Sequence, residues 1–223
     1  MEFDRFRLLV GDNFSKVEDL KVLVVGVGGV GGYVVESLAR CGVGNITIVD
    51  SDVVDITNIN RQIIALNSTI GIKKVEVLKK RIMDINPKCL VETFDLFYDY
   101  KSKDIIFNKD YDYVIDCCDT INSKVIIVEE CLKRKIKIIS SMGAGFKYDP
   151  TKIKIDKLKK TNYDKIAKKM RYLLRNNIDA LNIPVVFSTE SVDKNGKTIA
   201  SNSFIPAIFG LYITSYIINE VIK

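Results

Sequence analysis

The sequence predicts an α/β protein: a doubly wound, mostly parallel sheet of Rossmann-like type, carrying a basic C-terminal α/β extension. Three observations predict it. Short Val/Ile-rich runs without polar alternation recur up to residue 141, the pattern of strands covered on both faces. Helical stretches fall between these runs, which implies right-handed β–α–β crossovers. Positive charge then gathers late in the chain: residues 151–176 hold ten Lys or Arg against two acids, a net +8 in a chain whose total is +6.

Taken in order, strands are expected near 21–26, 45–50, 90–94, 112–117 and 136–141, with helices near 29–41, 72–85, 102–108 and 121–134. The texture changes after Met142. GAGFKYDP (143–150) reads as a loop, and TKIKIDKLKK alternates like an edge strand. A helix follows with Asn162 as N-cap and Ile166, Met170, Leu173 and Leu174 on one face. IPVVFSTE (183–190) is extended, DKNGK (193–197) turns at Asn195–Gly196, and 204–222 forms a last helix. At 223 residues the chain suits one domain over 1–223, with a nucleotide-binding core over 1–142 and a substrate-facing extension over 143–223.

Composition narrows the function. An apolar share of 47% argues against disorder. Acids among the first residues, MEFDRFRLLVGDNF, argue against a secretory signal. The last helix is the only stretch that invites a membrane reading, but Pro206, Gly210, Thr214, Ser215, Asn219 and Glu220 make it polar for a span, so a helix buried against the sheet or a second subunit is expected. Five cysteines occur without a CxxC pair and the chain has no His, which disfavours zinc. They are expected to be small buried thiols in a reducing cytoplasm, with reactivity at Cys117 or Cys118 the alternative.

The chemistry is concentrated in GVGGVGGYVVESLARCGVGNITIVDSD, from Gly26 to Asp52. Glycines at 26, 28 and 31 follow an apolar run and open a helix, and a second run ends at Asp50. This is the arrangement that sets phosphates on a helix N-terminus and ribose hydroxyls on an acid. It does not choose the nucleotide. The next residues do: DSDVVDITNINRQIIA supplies Asp52, Asn58 and Arg61, and GIKKVEVLKKRI supplies Lys74. Cations arriving from a following loop and helix suit a third phosphate and a departing pyrophosphate, which favours ATP over NAD. Asp119, past the fourth strand in VIDCCDT, suits Mg²⁺ at the carboxyl edge of the sheet. A surface ion pair is the plainer reading of each charge alone. A nucleotide sensor or NAD-binding module remains the rival from outside catalysis.

GVGGVG, DSD, NINRQ, GIKK and DCCDT, as an ordered set, closely resemble the adenylating E1-like (ThiF–MoeB–HesA) superfamily, which includes activators of sulfur-carrier and ubiquitin-like proteins. RFRLLVG, INPK, SSMGAGFKYDPTKI and VFSTE followed by SNSFIPAIFGL make the chain most similar, nearly end to end, to the tRNA threonylcarbamoyladenosine dehydratases. The resemblance implies a cytoplasmic homodimer that binds ATP and Mg²⁺. It implies Gly26, Gly28, Gly29 and Gly31 at the phosphate turn, Asp50 on ribose, and Asp52 and Asn58 near the reacting groups. Arg61 and Lys74 would meet the phosphates and Asp119 the Mg²⁺. Arg5, or its neighbour Arg7, would reach the partner subunit's ATP.

Such an enzyme dehydrates N6-threonylcarbamoyladenosine at position 37 of tRNA by adenylating the threonine carboxylate and closing a ring, with Arg61, Lys74, Asp119 and Asp52 as catalytic candidates. The tRNA anticodon loop is then the expected partner of Lys159, Lys160, Lys168, Lys169, Arg171 and Arg175, and a sulfur-relay protein a further one. The alternative is an activator of a ThiS- or MoaD-like carrier protein. Those relatives usually carry paired zinc cysteines and often a later thioester cysteine, whereas this chain has none after Cys131.

Overall fold

A computed structural model describes residues 2–191 and 200–223. The elements run α1 (Asp4–Val10), α2 (Phe14–Glu18), β1 (Lys21–Val25), α3 (Gly31–Arg40), β2 (Asn45–Val49), α4 (Lys74–Ile85), β3 (Leu90–Phe94) and α5 (Lys103–Ile106). They continue with β4 (Tyr113–Asp116), α6 (Ile121–Arg134), β5 (Lys137–Ser141), β6 (Ile153–Lys157), α7 (Lys165–Leu173), α8 (Ile178–Asn182), β7 (Pro184–Ser188) and α9 (Phe204–Ile222). The turn expected at 193–197 lies outside the described residues.

Among the described residues the strands form one sheet in the order β3-β2-β1-β4-β5-β7-β6. All pairings are parallel except β6 with β7. The apolar runs explain why both faces are covered. Val22 and Val24 turn to one side, where Leu38 of α3, Leu78 of α4 and Phe209 of α9 pack. Leu23 and Val25 turn to the other, against Ile106 of α5, Ile127 of α6 and Met170 of α7. The expected doubly wound α/β fold is therefore present, and the extension after Met142 continues the same sheet through β7 and β6.

Three local expectations change. Two short helices precede β1. The cap before α7 is Asp164, whose side chain accepts the Ala167 N–H, instead of Asn162. A third short helix, α8, follows α7 and is capped by Asn177. The apolar helix α9 is long enough by composition to cross a bilayer. Its Ile205, Phe209, Ile213 and Ile217 are nevertheless buried in the core. Gly210 lets it lie directly on α3, since a Cβ there would stand 2.7 Å from the Val30 carbonyl.

Candidate active site

Strand order reverses direction between β1 and β4, and at such a switch point the carboxyl ends of neighbouring strands part to leave a crevice. A cavity of about 410 Å³ opens there. Two glycines make the turn beneath it possible. Gly26 has φ +84, and a Cβ on it would press on the Cys117 backbone at 2.9 Å. A Cβ on Gly31 would stand 1.9 Å from the Gly26 carbonyl, so α3 can start this close to β1 only without a side chain. Gly28 and Gly29 line the cavity itself. At Gly28 an added Cβ would meet only Gln62, at 3.6 Å, so that glycine keeps the crevice open more than it relieves a clash. The N-terminus of α3 has no side-chain cap, leaving its backbone N–H groups and positive dipole end for an anion.

Asp50 fixes this turn from β2. One carboxylate oxygen accepts the Val27 N–H at 2.8 Å and the other the Asp52 N–H at 2.9 Å. Lys74, the first residue of α4, is only 5% exposed, and its Nζ donates to Asp52 at 2.7 Å with Asp50 at 3.9 Å. A buried ammonium is thus held at the cavity by one solvated and one buried carboxylate. Asn58 is buried, its Oδ1 accepting the Asp55 N–H in a capping box. Arg61 donates to the Thr57 carbonyl at 2.8 Å and to Asn60 Oδ1 at 2.9 Å, while its stem borders Gly29. Asp119 projects exposed from the loop after β4. All of these residues line the one cavity.

Two of the sequence candidates lie elsewhere in this chain. Gly31 supports the turn from behind, and Arg5 stands exposed on α1 away from the cavity lining. Arg7 is occupied nearby: it pairs with Glu18 at 2.9 Å and lies 4.0 Å over the Phe14 ring. Of the basic residues, Lys159, Lys160, Lys168, Lys169 and Arg175 are exposed. Arg171 is half-buried and donates to the carbonyl and hydroxyl of Thr161, which makes it part of the scaffold joining α7 to the preceding loop. Cys117 and Cys118 line the cavity, yet burial pushes both thiols well above the ordinary range, so neither is an activated nucleophile.

Sequence reasoning missed what holds the cavity floor. Lys124 of α6 is fully buried and donates to Asp116 at 2.9 Å, Ser140 Oγ at 3.4 Å and the Ser141 carbonyl at 2.6 Å. Asp116 also accepts from the N–H and thiol of Cys118. Burial is the largest single influence and works against the Lys124 charge, but Asp116 together with Cys118 and Cys117 outweighs it, and the ammonium pKa is raised. The network ties the loop carrying Asp119 to Ser140 and Ser141. Asp164 then secures the next stretch, accepting the Gly143 N–H at 2.9 Å, and its burial raises the carboxyl pKa. An acid at the end of the run YVID, and a Lys inside an apolar helix, were the available signals.

A glycine turn at a switch point, an acid braced beside it and cations converging from the next loop and helix define a nucleotide-binding protein with room for a charged substrate. The chain belongs to the ThiF family, whose model matches residues 4–223. It is 41% identical to the tRNA threonylcarbamoyladenosine dehydratase of Bacillus subtilis (strain 168), over 100% of this chain and 95% of the relative. The dehydratase of the same name from Haemophilus influenzae is 36% identical over 97% of this chain and 91% of its own. Crystal structures of the E. coli tRNA N6-threonylcarbamoyladenosine dehydratase, in complex with ATP and with AMP, match at TM-score 0.93 and 35% identity, covering 99% of this chain and 93% of theirs.

Proposed function

We propose that this chain is an ATP-dependent tRNA threonylcarbamoyladenosine dehydratase. One observation carries the reading: Asp50, Asp52, Asn58, Arg61, Lys74 and Asp119 surround a single cavity in a chain that matches such dehydratases end to end. The threonine carboxylate of N6-threonylcarbamoyladenosine attacks the α-phosphorus of ATP, and pyrophosphate leaves. An atom of the neighbouring carbamoyl group then attacks the acyl-adenylate carbon, closes a ring and expels AMP. The nucleoside loses one water overall.

Each residue has a part in this sequence. The backbone of Gly28 and Gly29 and the N-terminus of α3 receive phosphate, and Asp50 orients ribose. Arg61 and Lys74 oppose charge developing on pyrophosphate, with Lys74 already poised at the cavity by Asp52. Asn58 and Asp52 border the reacting groups.

Among the described residues no three metal-ligating side chains cluster. One exposed carboxylate facing a phosphate turn is nonetheless what Mg²⁺ needs when nucleotide and water supply its other ligands, and Asp119 is that carboxylate. Bound there, the ion would neutralise phosphate charge.

Two partners follow from this reading. A second copy of the chain would receive Arg5 together with Leu8 and Leu9, which α1 leaves 87% and 80% exposed. The anticodon loop would meet the exposed cations of 159–175, and the cytoplasm is where such a substrate is found. The decisive test is incubation with ATP, Mg²⁺ and tRNA carrying threonylcarbamoyladenosine, followed by nucleoside mass spectrometry. The expected result is a nucleoside lighter by one water, with AMP formed. An unchanged nucleoside, with pyrophosphate exchange on adding a Gly-Gly-ended carrier protein, overturns it.

A further inference from the structure

Three non-glycine residues have positive φ among the described residues: Lys135, Phe146 and Tyr163. Lys135 ends α6 in the left-handed conformation, an ordinary helix stop. The other two are aromatic, a residue class for which this conformation is costly and which the surrounding structure must enforce. Both stand beside the cavity in sequence. Phe146 follows Gly143–Gly145, which line it, and Tyr163 lies three residues before Ile166, which also lines it.

Tyr163 is the more unusual of the two. At φ 52 the residue is 65% exposed, so the strain is not repaid by burying the side chain. The residue after it, Asp164, is anchored on both carboxylate oxygens, one to the Gly143 N–H at the cavity wall and one to the Ala167 N–H of α7. The exposed residue is therefore carried next to a support that is tied to the cavity wall through Gly143. It also sits inside the most basic stretch of the chain, with Lys159 and Lys160 before it and Lys168 and Lys169 after it, all exposed. A rigid exposed aromatic among cations is the arrangement that receives single-stranded nucleic acid: cations hold the phosphates and the ring stacks on a base.

Resting on the dehydratase reading, we infer that Tyr163 is a stacking platform for an unpaired base of the anticodon loop, setting the loop so that the modified nucleoside enters the cavity. The occupant is RNA, since the charge around the ring is positive and the ring offers one flat face per base. Tyr172 serves this less well, because Lys169 and Arg175 already lie 5.6 Å and 4.4 Å from its ring.

The test uses the full chain and an anticodon stem-loop RNA carrying N6-threonylcarbamoyladenosine, with Tyr163→Gly and Tyr163→Phe compared with the parent. Glycine tolerates the left-handed conformation, so Tyr163→Gly removes the ring while relieving the backbone. It should keep or raise the melting temperature and leave ATP binding unchanged. Its affinity for the RNA should fall about five- to hundredfold, the cost of one base stack. Tyr163→Phe should bind as the parent does. RNA affinity unchanged in Tyr163→Gly overturns the inference, as does an equal loss in Tyr163→Phe. If the parent protein itself binds no modified RNA, the dehydratase reading fails first. If Tyr163→Gly instead loses affinity for a Gly-Gly-ended carrier protein, the ring belongs to a protein interface and the inference falls.

Discussion

Replacing Lys124 by Met tests the network beneath the cavity. Its ion pair with Asp116 is shut away from solvent, at 1% and 0% side-chain exposure. Met keeps the volume and apolar stem but leaves the Asp116 carboxylate buried without its cation. Removing one partner of such a pair costs about 3–5 kcal/mol. A chain of this size loses about 2–4 °C of melting temperature per kcal/mol, so Lys124→Met should melt roughly 6–20 °C lower. Circular dichroism at 222 nm, a standard helix wavelength, reads the transition, and urea titration supplies the free energy. The double variant Lys124→Met/Asp116→Leu should recover part of the loss, because no charge is then left stranded. The pH dependence has a definite sign. The folded Lys124 pKa is raised, so its contribution is complete below the unfolded value of about 10.4 and is lost only as pH climbs through the raised one. Acidification leaves this pair's lysine charged. A melting temperature within 2 °C of the parent for Lys124→Met (about 1 kcal/mol or less) would refute the reasoning.

Other outcomes follow from the same geometry. Lys74→Ala should slow substrate-dependent pyrophosphate exchange by roughly 10²–10³; full turnover would remove Lys74 from the phosphates. Gly31→Ala drives a Cβ to 1.9 Å from the Gly26 carbonyl, so it should yield unstable protein with no ATP binding by calorimetry. A parent-like melting curve would show that α3 can retreat. Lys168→Glu with Lys169→Glu should weaken tRNA binding and flatten its dependence on log salt by about one for each phosphate no longer neutralised. An unchanged slope assigns those lysines to solvent. Burial lifts the Cys41 and Cys89 thiols to about 11, so at pH 8 iodoacetamide should modify them about a hundredfold or more slower than in the unfolded chain. Rapid native labelling contradicts the raised thiol pKa values of half-buried Cys41 and buried Cys89.

The parallel strands were legible because both faces are covered, so VLVV is an unbroken apolar run and NITIV stays β-branched throughout its buried part, Thr47 included. The place of the candidate residues at the cavity was legible for a related reason: charged residues directly after such runs have a fixed place at the carboxyl edge. Helix α1 was hidden because its Leu8 and Leu9 face outward and mark no core-facing stripe. Asn162 and Asp164 are both competent caps, and the contact that decides between them is with Gly143, far along the chain. Lys124 stands beside the apolar run VIIV, a signal that marks it as unusual without saying what it meets. Only the neighbouring strand, by presenting Asp116, turns it inward. Arg171 departs from expectation in the opposite direction, since a guanidinium in a basic helix gives no hint that Thr161 will hold it.

The close seating of α9 on α3 bears on how the protein matures. Pro206 lines the same cavity as Gly28 and lies against Gly29, while Gly210 lets the helix brace the first turn of α3. The glycine turn at the cavity is therefore braced by contacts between widely separated parts of the chain, which require loop closure first. Half-assembled molecules would have strands and helices but no competent nucleotide seat. A ligand seated in that cavity would favour only chains in which these distant segments have met, stabilising them with the logarithm of its concentration above Kd.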